Sequence, residues 1–341
     1  MRRKPLIFAE LCAGSASVTA GLLGGERAKP PISYMGAKTG IRAWILEALG
    51  LRVGQGADAV LLCEPGPWAP VWALLSQPGG PEQVAAHIRG WQVEGAANPR
   101  ALWDRLKAEG WADLRGAEGV GRWLLCADWA FRRGHPNSSF IGESSGKKRN
   151  LSAGTLATRT EAVARWMLAC KWSFSEKGPQ HGYGGPGCEV RTYDSGWTTE
   201  KRDTAIGIPR FTGQIEACGK WLSSAPFAVY QGSAMDLYPP ADASDWVTYL
   251  DPPYVGTSGY QSEFPRAQVI EVALRWHNAG ATVAISEAVP IDIPGWYHVN
   301  LSNARRGNKR TFSKQQEEYL TMNRPPHRVP GEQLGMFGGE R

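Results

Sequence analysis

The sequence predicts an α/β protein, a doubly wound sheet with an irregular basic region inserted between its two halves. Three observations point there. Short apolar runs alternate with amphipathic stretches of helical length at both ends of the 341-residue chain. Several of these runs close on an acid or on Asp-Pro-Pro, which cannot continue a strand. Between them, residues 131–220 are rich in Gly, Ser and Trp, weakly periodic, and hold fourteen Lys and Arg against eight Asp and Glu.

The elements follow in order. Leu6 to Leu11 reads as a strand, CAGSAS as a small-residue turn and VTAGLLG as a short helix. After ISYMGAKTG comes an amphipathic helix, IRAWILEALGL. Ala59 to Cys63 is the next strand, closing on Glu64-Pro65, and a helix-rich stretch runs from about residue 68 to 130. Strands resume at Phe227–Gln231, Val247–Leu250 and Thr282–Ser286, with a helix over Arg266–Asn278 between the last two. EEYLTMN reads as the final strand, and the tail after Arg324 is Pro/Gly-rich. The sheet unit therefore takes residues 1–90 and 225–324, a helical and basic region takes 91–224, and a flexible tail takes 325–341.

Composition narrows the class. The apolar runs fall far short of the about 20 residues a membrane helix needs, so no membrane partner is expected. The basic N-terminus leads into an apolar stretch interrupted by Glu10, and reads as the first strand rather than a signal peptide. Six scattered cysteines without a CxxC argue for reduced thiols, a cytoplasmic setting and no structural zinc. The excess of +6 charges equals that of the basic segment alone, a distribution that attracts a phosphate backbone. Some of the fifteen tryptophans could stack on bases there.

The candidate site begins with TYLDPPYVGTSGY, Thr248 to Tyr260. A buried strand stops at Asp251, and the two prolines turn the chain out rigidly at the edge where open α/β sheets bind ligands. The turn in FAELCAGSASV lets backbone N–H groups approach a ligand closely. Glu64 ends the second strand, where an acid can bind ribose hydroxyls, and Asp236 closes a further strand in VYQGSAMDL. Taken singly, Glu64 reads equally as a solvated loop acid and Asp236 as a helix cap. Together with Glu10 they describe a cleft for an adenosine-bearing cofactor beside a planar substrate. An exocyclic amine is a poor nucleophile because its lone pair delocalises into the ring. Asp251 and a carbonyl such as that of Pro252 can accept its two N–H bonds and free that pair, while Tyr254 stacks on the ring. A methyl sulfonium as electrophile needs no metal.

YLDPPYVGTSGY, FAELCAGSASV, ISYMGAKTGIRAWI, CEPGPWAPVWALL, VAISEAVP and NARRGNKRTFSKQQEEYLTMN together resemble the Dam-type adenine-N6 DNA methyltransferases, over about half of the chain. The resemblance implies a Rossmann-like methyltransferase sheet and S-adenosylmethionine as cofactor. It implies catalysis by the loop Asp251, Pro252, Pro253 and Tyr254. It implies cofactor contacts from Glu10, Cys12, Gly14, Tyr34, Gly36, Lys38, Glu64 and Asp236. Residues 90–225 show no match, and there the family keeps its target-recognition region. Two features depart from the family pattern. The YMGAK segment follows the cofactor loop instead of preceding it. Ala16 and Ala37 stand where glycines are expected, and alanine favours negative φ and adds a methyl near the ligand.

Duplex DNA is the expected partner, with the target base flipped out. Arg305, Arg306, Lys309 and Arg310 form an acid-free run suited to phosphates, and Arg132, Arg133, Lys147, Lys148 and Arg149 flank a Gly/Ser-rich stretch that could order on DNA. In the tail, Gln333, Leu334, Met336 and Phe337 resemble the peptide by which bacterial enzymes dock on the replicative sliding clamp. A monomer is the default. Two other readings stay open: the same fold acting on cytosine N4 or RNA, and a non-catalytic DNA-binding descendant.

Overall fold

A computed structural model describes residues 4–32, 37–97, 99–110, 114, 116–129, 208–254, 264–301 and 317–327. Its centre is a seven-stranded sheet in the order β3-β2-β1-β4-β5-β7-β6. The strands are β1 (Ile7–Leu11), β2 (Ala59–Glu64), β3 (Phe227–Gln231), β4 (Trp246–Leu250), β5 (Thr282–Glu287), β6 (Tyr297–Asn300) and β7 (Tyr319–Met322). β3, β2, β1, β4 and β5 run parallel, whereas β7 is antiparallel to both β5 and β6. The fold is thus mixed α/β, mostly parallel and compatible with a Rossmann-like sheet.

β1 and β4 lie at the middle of the sheet and are buried at four of their five positions. That accounts for their reading as continuous apolar runs, because helices cover both faces of a parallel sheet. Register then decides which side chain faces which layer. Phe8 pairs with Val60 and Val247, and Glu10 pairs with Leu62 and Tyr249, so these residues share one face. Over that face pack α1 (Ser17–Gly24) and α2 (Arg42–Ala48), whose Val18, Leu22, Ile45 and Leu46 join Phe8, Val247 and Tyr249 in one cluster. On the other face, α9 (Arg266–Asn278) sets Val269, Val272 and Trp276 against Ala9, Leu11, Leu250 and Ile285.

A third cluster lies beside β2. It is built from α3 (Trp68–Leu75), α4 (Gly80–Gly90), α6 (Pro99–Glu109), α7 (Ala117–Trp129) and α8 (Ile208–Leu222), with the short α5 (Gln92–Ala97) between α4 and α6. Trp68 stacks on Trp72 with ring centroids 5.5 Å apart and meets Trp123 edge-on at 5.1 Å. Trp221 of α8 closes on Trp72 at 5.8 Å. Such pairs contribute about 0.5–1.5 kcal/mol each beyond area burial. These tryptophans are core; Trp166, Trp172 and Trp197 of the basic segment lie outside the described residues. The core also runs past residue 90 without a break, since Leu102, Val120, Phe211 and Ile215 share it with Val60 and Leu62 of β2.

β6 is the strand that the pattern reading does not contain. It lies at the sheet edge with Val299 as its one buried side chain, so it carries no apolar alternation. No helix among the described residues is long and apolar enough to cross a membrane.

Candidate active site

The strand order reverses between β1 and β4. The chain leaves β1 for α1 and α2 on one face, and leaves β4 for α9 on the other. At such a switch point the two outgoing loops part and leave a crevice beyond the strand ends. The Asp251 N–H still bonds the Leu11 carbonyl at 3.1 Å, so the reacting loop begins where the last sheet bond is made.

The strand alternation that buries Val247 and Tyr249 continues to Asp251 and turns it toward the layer of α1 and α2. Lys38 meets it there from the segment before α2. Its Nζ lies 2.7 Å from Asp251 Oδ1 and 3.7 Å from Glu318 Oε1. The Lys38 side chain is 5% exposed, Asp251 17% and Glu318 0%. The ammonium also stands 4.5 Å from the centroid of the Tyr254 ring, and the Tyr254 hydroxyl donates to Glu318 Oε1. Burial is the main reason that Asp251 is pushed up to about 6; Lys38 pulls it back and the Glu318 charge adds to the rise. Burial, with Asp251 and Glu318 nearby, also keeps the Tyr254 phenol protonated far above its usual range. Pro252 is buried and Pro253 half-buried, so the loop is anchored in protein on one side.

The turn after β1 is the second half of the crevice. Cys12, Gly14 and Ala16 all take positive φ, at 57°, 46° and 47°. Gly14 suits this turn, and a Cβ placed there would meet nothing within 4 Å, which leaves its outer side open. Glu64 bridges the turn to its own loop, accepting from Gly14 N–H and Gly66 N–H at 2.9 Å each. Burial raises its pKa and these two bonds oppose the rise. Trp72 Nε1 donates to the Gly14 carbonyl at 2.8 Å and ties the turn to the tryptophan core.

Ala16 corrects an expectation. Alanine was expected to keep φ negative and to bring a methyl near the ligand. Instead the Ala16 N–H closes a turn on the Ala13 carbonyl at 2.7 Å, and its methyl is fully buried among the tryptophan-side residues. The left-handed backbone costs about 1–2 kcal/mol for a residue with a Cβ.

Glu10 turns inward. Its Oε2 accepts the N–H and the hydroxyl of Thr19 at 2.8 and 2.5 Å, and burial pushes it up to about 7. Its carboxylate therefore anchors α1 beneath the turn. Cys12 is half-buried at the crest, its thiol driven well above the ordinary range by burial, then by Glu64, Cys63 and Asp251. Asp236 closes a 3-10 turn, Ala234–Asp236, after β3, and its charge helps to push the Cys63 thiol up to about 12, after burial and Glu64.

The structure thus gathers Asp251, Tyr254 and Lys38 into one cluster, and Gly14 with Glu64 into the adjoining turn. Tyr34 and Gly36 lie outside the described residues. So do Arg132, Arg133, Lys147, Lys148, Arg149, Arg305, Arg306, Lys309 and Arg310, and the tail residues Gln333, Leu334, Met336 and Phe337. Two side chains escaped the sequence reading as site residues, and a signal existed for the first. Glu318 lies two positions before the buried Leu320 of β7, and period two places it inward. Ser17 Oγ accepts the Lys38 N–H at 2.9 Å and fixes the segment that carries the ammonium.

Fold and site together define an α/β protein with a cluster of Asp251, Glu318, Lys38 and Tyr254 at the switch point of its sheet. Searched against protein-family models the chain matches none, and it has no match among curated proteins.

Proposed function

We propose that the protein is a methyltransferase that uses S-adenosylmethionine to methylate an exocyclic amine of DNA, the N6 of adenine. One observation carries the proposal: the Asp251-Pro-Pro-Tyr254 loop leaves β4 at the switch point of the sheet, beside a small-residue turn with an open outer face. The parallel run of β3, β2, β1, β4 and β5 accords with the Rossmann-like sheet that the resemblance implies.

The residues present fit the adenosine-bearing cofactor. Gly14 leaves its outer face open, and the half-exposed Glu64 stands at the end of β2, where each carboxylate oxygen retains a lone pair beyond its backbone bond. When bound, S-adenosylmethionine supplies the electrophilic methyl group.

The chain's own residues prepare the acceptor. Asp251 takes an N–H of the amine and a neighbouring backbone carbonyl takes the other, which draws the nitrogen toward tetrahedral geometry. This requires the carboxylate form. With its pKa near 6, Asp251 is ionised above pH 7 and protonated below pH 5. Tyr254 offers its ring to the base. The Lys38 ammonium now holds Asp251 and stands over that ring, so it must move aside when the base enters. The basic residues of the 132–149 and 305–310 stretches are assigned to the phosphate backbone, and flipping the base costs a few kcal/mol.

The test uses purified protein, tritiated S-adenosylmethionine, and unmethylated duplex DNA and RNA in parallel, with nucleosides resolved after digestion. Label in N6-methyladenine from DNA, lost in Asp251→Ala, is the expected result. Label in N4-methylcytosine or in RNA would move the acceptor and keep the mechanism. No label, with the cofactor nonetheless bound in calorimetry, would overturn the nucleobase acceptor.

A further inference from the structure

Glu318 has no part in the chemistry proposed above, yet it is a fully buried carboxylate in contact with two residues of that site. Burying a carboxylate is costly unless it is paired. Its Oε1 alone meets both the Tyr254 hydroxyl and the Lys38 ammonium. It enters the crevice from the start of β7, whereas Lys38 comes from the segment before α2 and Asp251 from the end of β4. Three distant parts of the chain therefore converge on one charge cluster. An amide would still accept the tyrosine hydroxyl, through a weaker bond. What an amide lacks is charge, and the ammonium is the group here that needs it.

The surroundings of Asp251 define the need. The charges of Lys38, Glu318 and Glu287 act on it, and Glu287 is itself paired with Arg266 at 3.6 Å. Glu10, the phenols of Tyr249 and Tyr254 and the thiol of Cys12 face it as well. When an amine displaces Lys38 from Asp251, expelling the ammonium to water would strand the Glu318 carboxylate in a buried site, whereas Glu287 keeps Arg266 and Glu10 keeps Thr19. The Lys38 side chain is itself 5% exposed, so a short pivot to Glu318, already 3.7 Å away, keeps the cation paired inside.

We infer that Glu318 is a positioning residue for the proposed reaction: it takes over the Lys38 ammonium when the acceptor amine reaches Asp251, and it holds the Tyr254 ring through the hydroxyl. The inference rests on the methyl-transfer reading, and its test separates the two.

Glu318→Gln keeps the shape and the acceptor for Tyr254 and removes the charge. Cofactor binding in calorimetry should stay native. Turnover on DNA should fall by about tenfold. The acid limb of the rate should move down by about half a pH unit, because a charge that raises Asp251 has gone. Native turnover, or reduced turnover with an unmoved acid limb, overturns the assignment. If the native protein transfers no methyl group, the functional reading fails by itself. The coupling of the Glu318 charge to Asp251, the premise of the assignment, is then read from the Asp251 carboxyl titration by carbon NMR. A midpoint near 6 that falls in Glu318→Gln supports it, and an unchanged midpoint overturns it. If Glu318→Gln does not fold, Tyr254→Phe deletes only the hydroxyl. About tenfold slower turnover is expected there, and native turnover refutes the hold on the ring.

Discussion

Replacing Lys38 with Met removes a cation and leaves a side chain of similar length. In the native protein the ammonium lies 2.7 Å from Asp251 and 3.7 Å from Glu318, in a pocket where these side chains are at most 17% exposed. Removing one partner of a buried pair costs about 3–5 kcal/mol, because the other charge stays buried without compensation. Asp251 retains a little solvent contact, so the lower end applies, about 3 kcal/mol at pH 8. The sign follows from titration. Burial raises the folded-state pKa of Asp251 to about 6, and Lys38 is the main force holding it down. Without Lys38 the carboxyl protonates more readily, and a neutral Asp251 no longer needs the cation. The penalty therefore shrinks as pH falls from the variant's higher Asp251 pKa toward 6, and is constant below it. Urea unfolding of native and Lys38→Met protein at pH 8 and pH 5 measures it. Tryptophan emission serves as probe, since Trp72, Trp123 and Trp276 are fully buried. A loss near 3 kcal/mol at pH 8 that drops to about 1 kcal/mol at pH 5 is expected. A loss below about 1 kcal/mol at pH 8, or one equal at both pH values, would show that Lys38 does not hold a buried Asp251 charge.

Three further outcomes are expected. Methyl transfer by the native protein should have an acid limb near pH 6, where Asp251 loses its charge, and a rate flat from pH 5 to 8 would contradict the role of its carboxylate. Glu10→Gln keeps an acceptor for Thr19. The raised pKa of Glu10 means that its contribution is full below pH 4.5 and is lost as pH rises through about 7. The variant should therefore gain on the native protein by up to about 3 kcal/mol between pH 5 and pH 8, and paired denaturation curves that keep a constant gap would show the opposite. Gly21→Ala would place a Cβ 2.8 Å from Arg42 Cδ. Arg42 is pinned by the carbonyls of Gly25, Glu26 and Ala28, so it cannot yield freely and the change should cost about 1–3 kcal/mol in urea unfolding.

Much of the sheet was legible because its central strands are buried on both sides. Phe227–Gln231 and Arg266–Asn278 fall where the pattern places them, and β1, β2, β4 and β5 differ from it by a single residue at one end. β6 was not, because an edge strand with one buried residue has no period to read. The loop after β4 was legible from proline chemistry alone, since Asp-Pro-Pro has to end a strand. What the sequence withheld was pairing across distance. Nothing in YMGAKTG says that Lys38 reaches Asp251 over more than two hundred residues. Nothing in QQEEYL selects Glu318 over Glu317 until the parity of β7 is fixed by Leu320. The left-handed φ of Ala16 was hidden too, because a buried methyl in a tryptophan core can hold a backbone that local preference opposes.

The most direct measurement is nucleoside mass spectrometry of DNA from a methylation-deficient bacterial host that expresses the native chain or Asp251→Ala. N6-methyladenine is expected with the native chain and none with the variant, at equal protein levels. Equal N6-methyladenine from both, or none from the native chain while it binds S-adenosylmethionine, would contradict the claim that the Asp251-Pro-Pro-Tyr254 loop methylates adenine.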